Sequence, residues 1–416
     1  MPDHAAIPDV LIVGSGPAGA MAARDLARSG ARVLILERGT GPAPGNGLLG
    51  LWRRREAMHI APGVLLLRSL RVGGGSVTFF HTATPTPLEM FRKRGVDLAP
   101  DLAAVQAELP NAPLRDDLMG PMTRQTERAA LSLGLPWAPL PKMIDQSQCA
   151  DGFCPPQAFW SAQSLLDQAV VSGAKILTGV QVLRVLLSDG HAVGVEARSD
   201  GVVTTYRAGR VVLSAGGVAT PAILQNSGVA EAGNGFFCDP LRVMMARLPD
   251  TRTRNDIPMS AGYLDTQAGF MLSDISVPEN FYRAFAWAAG RPDRLWSYAR
   301  TAMIMVKIRD DIDGRIDIQG KPWRHFGPAD KARMQAGVVQ AKAILQAAGG
   351  DRPFLSPWVA AHPGGSVRLG ELADETLRCH AGNLHVCDAS VIPEPWGLPP
   401  TLTMLTLGKY LARRLQ

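Results

Sequence analysis

The stretch Asp9–Glu37, DVLIVGSGPAGAMAARDLARSGARVLILE, decides the fold. Val10–Val13 is a short apolar run of the kind that forms a buried parallel strand. Gly14, Gly16 and Gly19 follow it as G-x-G-x-x-G, directly before a helical stretch. Each glycine has its own physical task. Gly14 permits a sharp strand-to-helix turn, Gly16 lets backbone approach a pyrophosphate, and Gly19 lets the helix lie close on the strand. The free amides of the helix start, just past Pro17 and from Ala18 onward, face the phosphates. Small and apolar residues recur at helical spacing from Ala18 to Leu26, Gly30 closes the helix, and Val33–Leu36 forms a second strand ending in Glu37. A carboxylate at that place binds ribose hydroxyls, and Arg38 beside it belongs to the same expected site. The segment predicts a dinucleotide site, and the motif by itself does not separate FAD from NAD.

The remaining composition describes an ordinary globular chain: 416 residues, 46% hydrophobic and 19% charged, enough for two subdomains around substantial cores. No apolar run approaches the ~20 residues that span a bilayer. The N-terminus lacks the basic-then-apolar pattern of a signal peptide, so the cytoplasm is the expected location. The net charge of +6 is spread along the chain in short clusters (Arg53–Arg55, Arg92–Arg94, Arg413 and Arg414). That reads as solvated surface and not as a nucleic-acid or membrane patch. The five cysteines have irregular spacing and make no disulfide framework. Cys149, Cys154, Cys379, His380 and Cys387 lack the paired C-x-x-C arithmetic of a zinc site, so no metal is expected.

Beyond a Gly/Pro-rich segment, Gly39–Gly50, the run Gly73-Gly74-Gly75-Ser76 precedes the β-prone Val77–Phe80 and reads as a loop whose backbone approaches something closely. Leu102–Leu109 and Met122–Leu133 are predicted helices in a cap-like, proline-punctuated region. Ala158–Val171 is a helix closed at Gly173, and Lys175–Leu187 holds two short strands. Asp189-Gly190 turns the chain into Ala192–Arg198, and Val202–Arg207 continues a meander. Val211–Ser214 is a buried strand ending in Ala215-Gly216-Gly217, after which Thr220-Pro221 opens a helix. Further on, Leu241–Leu248, Ala268–Leu272 and Thr301–Ile308 are strand-like, Asp313-Gly314 makes a hairpin toward Arg315–Ile318, and Ala329–Ala348 is a long helix. Met244, Met245, Met271, Met303 and Met305 on these strands form core, or else an adaptable apolar pocket.

Three further blocks carry a resemblance. VVLSAGGVATPAILQNSGV (Val211–Val229) resembles the second signature of the glucose-methanol-choline (GMC) oxidoreductases. His362-Pro363-Gly364-Gly365-Ser366, Asn383–Pro393 and Pro400-Thr401-Leu402-Thr403 resemble that family's closing block. Gly73–Ser76 is similar to its flavin-side glycine segment, particularly in the cholesterol-oxidase-like branch. The matches cover both ends and the middle, leaving roughly Phe236–Ser356 with weak resemblance.

The resemblance implies an α/β fold: a Rossmann-like, glutathione-reductase-like FAD-binding domain with a smaller α+β substrate domain built on an antiparallel sheet. Residues 1–95, 145–235 and 357–416 are expected in the first, and 96–144 and 236–356 in the second. It implies noncovalent FAD, since Thr78 followed by Phe79 stands where some members carry a flavin-linked histidine. Glu37 is then expected near the adenosine ribose, the Gly14–Gly19 loop on the pyrophosphate, and Val182 near adenine. Gly74, Gly75 and Ser76 are expected near the flavin ring, with Ala215, Gly216, Asp388, Ala389, Pro400 and Thr401 completing the cofactor site. It further implies oxidation of an apolar small-molecule alcohol, with His362 as the base. Imidazole suits that task because its ordinary pKa is near 6.5, and Pro363 biases His362 toward extended backbone. The final helix would turn its positive end toward the flavin. The sequence departs from the family at Pro399, where a His or Asn usually partners the base. That leaves His362 alone, a partner recruited from elsewhere, or a different chemistry: lyase, isomerase or double-bond reduction. His81 and Trp396 are candidate substrate contacts. A flavin-containing electron-transfer subunit is the weakest reading, and the electron acceptor (oxygen, quinone or redox protein) is not legible.

Overall fold

The computed structural model describes residues 7–41, 56–77, 80–150, 152–252 and 256–416. Much of the Gly/Pro-rich segment 39–50, the cluster Arg53–Arg55, and Thr78 and Phe79 lie outside these residues. The first layer is a five-stranded sheet in the order Leu384–Val386, Arg210–Leu213, Val10–Val13, Val33–Leu36 and Lys175–Leu177, parallel throughout. Parallel strands are covered on both faces, which is why these read as unbroken apolar runs. Leu11, Ile12, Ile35, Val211 and Val212 are fully buried. The helix Pro17–Arg28 packs between Gln163–Val171 and the C-terminal helix Thr401–Leu415, and a meander of Gln181–Ser188, His191–Ser199 and Val202–Arg207 lies against Arg210–Leu213.

A second, larger sheet runs Ala57–Ala61, Val64–Leu67, Trp358–Ala360, Leu241–Arg247, Thr301–Ile308, Phe270–Asp274, Ala261–Asp265 and Ala138–Pro139, with Asp351–Leu355 also paired to Leu241–Arg247. It is antiparallel except where Trp358–Ala360 meets Val64–Leu67. The strand Thr301–Ile308 is buried at every position because both faces are covered. On one face the helix Pro328–Ala347 packs over Met244, Ile304 and Val306. On the other, Met245, Met271, Met303 and Met305 pack with Met259 and Tyr282 beneath the helix Glu279–Ala288. The methionines are therefore divided by strand alternation, with Met244 on the opposite face from its neighbour Met245.

Several elements differ from the sequence expectation. Gly74–Val77 is a short 3-10 turn within the expected glycine loop, and Thr78 and Phe79 of the β-prone run lie outside the described residues. The helix expected from Ala158 begins at Gln163, because Trp160 is drawn into a backbone bond with Met143 O. Helix Gly216–Asn226 starts ahead of Thr220 and carries Pro221 inside it. Gly314–Ile316 pairs with Asn234–Phe236 and with Pro322–Trp323 in a small separate sheet, so the hairpin turn lies at 317–320 and not at Asp313-Gly314. Ala57–Leu67 and Trp358–Ala360 join the large sheet although they fall within segments expected in the cofactor domain. Cys149 and Cys154 are joined in a disulfide inside a small apolar cluster with Leu114, Ile144 and Ile257. The cysteines were expected to make no disulfide framework, and this one pair, five residues apart in sequence, is a bond that their spacing did not announce. A disulfide belongs with oxidising surroundings, so it lends no support to the cytoplasm. No helix among the described residues is long and apolar enough to cross a membrane.

Helix Thr401–Leu415 touches Pro17–Arg28 through Gly408, where a Cβ would press on the Ala18 carbonyl. Gly408→Val is expected to cost about 1–3 kcal/mol by forcing the helices apart. The check is a fall in the urea midpoint with an unchanged m-value.

Candidate active site

The ends of three strands meet where the glycines allow backbone to approach backbone. Gly14 has φ +98°, and a Cβ there would run into the Ser214 carbonyl. A Cβ on Gly19 would meet the Gly14 carbonyl, so the helix lies directly on the turn. Gly16 is different: it is the N-cap of Pro17–Arg28, no side chain caps that end, and a Cβ there would meet nothing within 4 Å. Ala20 N is the first amide bonded within the helix, to Gly16 O at 2.8 Å, so the Ala18 and Gly19 amides point out of its end. This is an open, positively polarised cradle, and it fits a pyrophosphate. Gly74 rests on it, because a Cβ on Gly74 would sit 2.8 Å from Gly16 Cα, and Gly73 N donates to Ser15 Oγ at 3.1 Å.

Glu37 ties the cradle to the second strand. Its Oε2 accepts from Ser15 N at 2.9 Å and Ser15 Oγ at 2.6 Å, while Oε1 accepts from Gly39 N at 2.6 Å. Oε1 keeps a lone pair for a ribose hydroxyl, and Arg38 follows half-buried. Ser76, expected near the flavin ring, has its side chain turned to protein. It is 1% exposed, donates to Gly73 O at 2.6 Å and accepts from Ala162 N at 2.9 Å, so it braces the glycine loop from behind. Asp388 is likewise saturated by protein. Oδ2 accepts from Gly216 N at 2.8 Å and Thr220 Oγ1 at 2.5 Å, and Oδ1 from Ser390 N at 2.8 Å. Its carboxylate ties the Gly216 amide and the Thr220 hydroxyl to the turn at Ser390. Val182 lies buried in the edge strand Gln181–Ser188.

At the other end of the cradle, the helix Thr401–Leu415 opens after Pro399 and Pro400 with no side-chain cap, and Met404 N is its first internally bonded amide. Pro399 is buried, and its carbonyl accepts a hydrogen bond from Thr84 Oγ1. Trp396 packs against both the first core and the methionine face. Its indole Nε1 is buried with no hydrogen-bond partner among the described residues, a donor that awaits an acceptor. His81 sits in left-handed backbone (φ +54°), its ring 4.9 Å from Phe159 and its Nδ1 3.2 Å from Trp160 O. Burial, and then the nearby Lys142 charge, push its pKa down to about 4.

His362 is the centre of the polar chemistry. Its Nδ1 lies 2.7 Å from Lys307 Nζ, and Lys307 Nζ lies 2.9 Å from Asp239 Oδ2. Asp239 Oδ2 is itself 3.5 Å from His362 Nδ1. Lys307 and Asp239 side chains are 1% and 2% exposed, whereas the His362 side chain keeps 29%. Among the described residues no hydrogen bond reaches Nε2, so the ring is tied on one side and offered on the other. Loss of water around the ring, and then the Lys307 charge, lower the His362 pKa to about 4 against the opposing pull of Asp239. Both effects favour the neutral imidazole over the charged one. His362 has φ +53°, which corrects the expectation that Pro363 keeps it extended. Tertiary contacts override the local bias: Phe237 and Gly364 exchange backbone bonds at 3.0 Å each way, and Gly217 packs on the Pro363 carbonyl.

Asp239 and Lys307 escape a sequence reading based on motifs. The available signal was a lysine interrupting the otherwise apolar run Ala302–Ile308. Asp239 is held in turn by Asp310, whose Oδ1 accepts from Asp239 N and Oδ2 from Cys238 N, both at 3.0 Å. Arg324, fully buried, pairs Asp310 at 2.9 Å and Asp330 at 3.0 Å.

The comparisons agree with this geometry. Residues 104–242 and 323–408 each match a GMC oxidoreductase family model, and residues 8–46 match an FAD binding domain model. The chain belongs to the GMC oxidoreductase family. It is similar to an uncharacterized GMC-type oxidoreductase of Mycobacterium tuberculosis, 35% identical over 271 residues that make up 58% of this chain and 43% of that protein. It thus spans under half the length of that relative. A long-chain-alcohol oxidase of Arabidopsis thaliana is 24% identical over 98% of this chain and 67% of its own length. The crystal structure of pyridoxine 4-oxidase from Mesorbium loti superposes with a TM-score of 0.76 at 18% identity, covering 98% of this chain and 99% of that one, a likeness of fold. FAD is the cofactor of this GMC chain, and the open Gly16 cradle, the free helix start and the orphaned Trp396 Nε1 fit it.

Gly16→Val adds a side chain into open space, so the fold is expected to keep its thermal midpoint in the flavin-free protein while FAD content falls to near zero. Absorbance at the flavin band together with a melting curve checks both halves.

Proposed function

We propose that this chain is an FAD-dependent oxidoreductase that oxidises the CH–OH group of an apolar small molecule, with His362 as proton acceptor and FAD held without a covalent bond. The observation that carries the reading is the setting of His362: Nδ1 is tied to Lys307, and no hydrogen bond among the described residues reaches Nε2. FAD, when bound, supplies the acceptor for a hydride. The first-turn amides of Pro17–Arg28, with Gly16 and Gly74, would hold its pyrophosphate, and Glu37 its ribose. His362 Nε2 faces the ligand side and takes the hydroxyl proton of the alcohol. Thr401–Leu415 directs uncapped amides toward the site and favours negative charge there.

The substrate class rests on the wall beside the base. Met305 stands two residues before Lys307 on the same face of its strand, and Met271 is the cross-strand neighbour of Lys307. Phe80, Trp396 and Leu398 pack on that methionine face. Methionine and aromatic side chains adapt to irregular apolar shapes. The similarity to a protein named for oxidising long-chain alcohols supports the same direction. Pro399 leaves the place of the usual polar partner without a side-chain hydrogen bond, and Lys307 reaches the histidine instead.

The purified protein is expected to be yellow, to release intact FAD on acid treatment, and to bleach anaerobically with apolar primary or secondary alcohols. Retention of flavin after acid, or a panel of such alcohols that leaves it oxidised, counts against the reading. His362→Ala is expected to keep FAD and fold while flavin reduction slows by ~100- to 10,000-fold, the usual worth of a positioned proton acceptor. Because burial and the Lys307 charge push the His362 pKa down to about 4, no step from the ring's own protonation is expected near 6.5, and any fall in flavin reduction above that pH belongs to another group. Stopped-flow reduction in parent and variant checks both statements.

A further inference from the structure

A neutral imidazole carries a single ring proton, and the nitrogen that holds it decides whether the other side of the ring gives or takes a hydrogen bond. In this site that choice falls to Lys307. Its ammonium is paired with Asp239 Oδ2 at 2.9 Å and lies 2.7 Å from His362 Nδ1. An ammonium has three protons and no lone pair, so toward Nδ1 it only donates. While Lys307 is charged, Nδ1 is bare, the ring proton sits on Nε2, and the side of His362 offered to the ligand is a hydrogen-bond donor. A ring in that state has no lone pair with which to accept an alcohol proton.

We propose that Lys307 is the second proton acceptor of the site and its pH gate: His362 becomes a base toward an alcohol only when Lys307 is neutral, and the proton taken from the alcohol ends on Lys307. The transfers balance. In the competent state Nδ1–H donates to the Lys307 amine and Nε2 holds a lone pair. The alcohol O–H bond breaks and a bond forms from that proton to Nε2. The Nδ1–H bond breaks as its proton passes to Nζ, leaving the Nε2–H tautomer and a Lys307–Asp239 ion pair. The alcohol is the group oxidised, and its hydride goes to FAD. The state after that transfer, Nε2–H with a charged Lys307, is reset when Lys307 loses a proton.

Three features of the site support this assignment. Lys307 is 1% exposed at the end of a strand buried at every position, so its charge has no solvent and is answered by Asp239. Burial lowers its pKa, while Asp239 first, then Asp310 and Cys238, raise it. Those three groups, with His362, are the titratable neighbours that face it. Asp239 Oδ1 is buried with no partner among the described residues, so a single ion-pair contact holds that carboxylate, less than a charge locked by a full set of bonds. Finally, Pro399 offers no side-chain polar group, and Lys307 is the side chain that occupies the hydrogen-bonding position beside the base.

The proton-acceptor part rests on the alcohol reading of the site, whereas the control of the ring tautomer does not, and the experiment separates them. Flavin-loaded protein labelled with 15N-histidine is titrated between pH 6 and 10 by NMR, with His362 assigned by its loss in His362→Gln. A bare Nδ1 and protonated Nε2 are expected at low pH, changing to Nδ1–H as pH rises. In stopped flow, flavin reduction by an alcohol is expected to rise about tenfold per pH unit to a plateau with the same midpoint, the slope of a single proton lost. In Lys307→Met, Asp239 Oδ2, 3.5 Å from Nδ1, becomes the acceptor. That variant should show Nδ1–H throughout and lose the slope. Nδ1–H in the parent at neutral pH overturns the inference without needing any variant to fold. So does a Lys307→Met protein that keeps the Nε2–H tautomer or the parent slope. If no alcohol reduces the flavin while the tautomer switches as described, the proposed function fails and the control by Lys307 stands.

Discussion

Backbone must touch backbone where the parallel strands end, and the rest of the molecule is arranged around that constraint. Gly14 against Ser214, Gly74 against Gly16 and Gly217 against Pro363 are contacts that any side chain would break. They draw the first, middle and last parts of the chain to one place. Asp388 reinforces the junction by accepting from Gly216, Thr220 and Ser390 at once. A carboxylate that satisfies several donors is hard to replace, because each donor would be left buried and unpaired. The cradle left by these contacts is open at Gly16, which is why a phosphate-bearing ligand fits there.

The same junction carries His362. The segment 361–364 is pulled alongside 237–238 by backbone bonds, which brings Asp239 beneath the ring, and Thr301–Ile308 delivers Lys307 from the large sheet. The large sheet therefore serves two ends: its methionine face makes an apolar wall, and one position on that face carries the charge that acts on the base. A buried ion pair contributes little to net stability, since the desolvation of both ions offsets their attraction. The retention of Lys307–Asp239 in the interior is better explained by what it does to His362 than by what it adds to the fold. Arg324, with Asp310 and Asp330, holds the backbone that presents Asp239, and its charge is answered on every side.

A second buried lysine acts at the rim. Lys142 Nζ donates to the Phe80 and Pro258 carbonyls, the latter at 2.9 Å, and burial pushes its pKa down to about 7. It fixes the chain beside His81, whose ring is turned onto Phe159 and Trp160. The disulfide Cys149–Cys154 closes the loop that leads into that wall, so the side of the site away from the cofactor cradle is built from loops pinned by a lysine and a cross-link rather than from sheet.

By itself the sequence determined the cofactor domain. The G-x-G-x-x-G turn, the strands on either side of it and the Thr-Pro and Pro-Thr helix entries are local patterns. Each needs particular residue types within one or two turns of chain, so they are legible without a fold. His362 was legible for the same reason, and so was the missing partner at Pro399. Only the tertiary structure shows that Asp239 and Lys307 lie beside His362, because the three come from distant segments and no short pattern joins them. It also decided that His362 is left-handed despite Pro363, that Ser76 and Asp388 face inward to protein donors, and that Ala57–Leu67 belongs to the large sheet. Each of these outcomes depends on long-range packing, which outweighs a local bias of about 1 kcal/mol wherever a buried polar group would otherwise go unpaired.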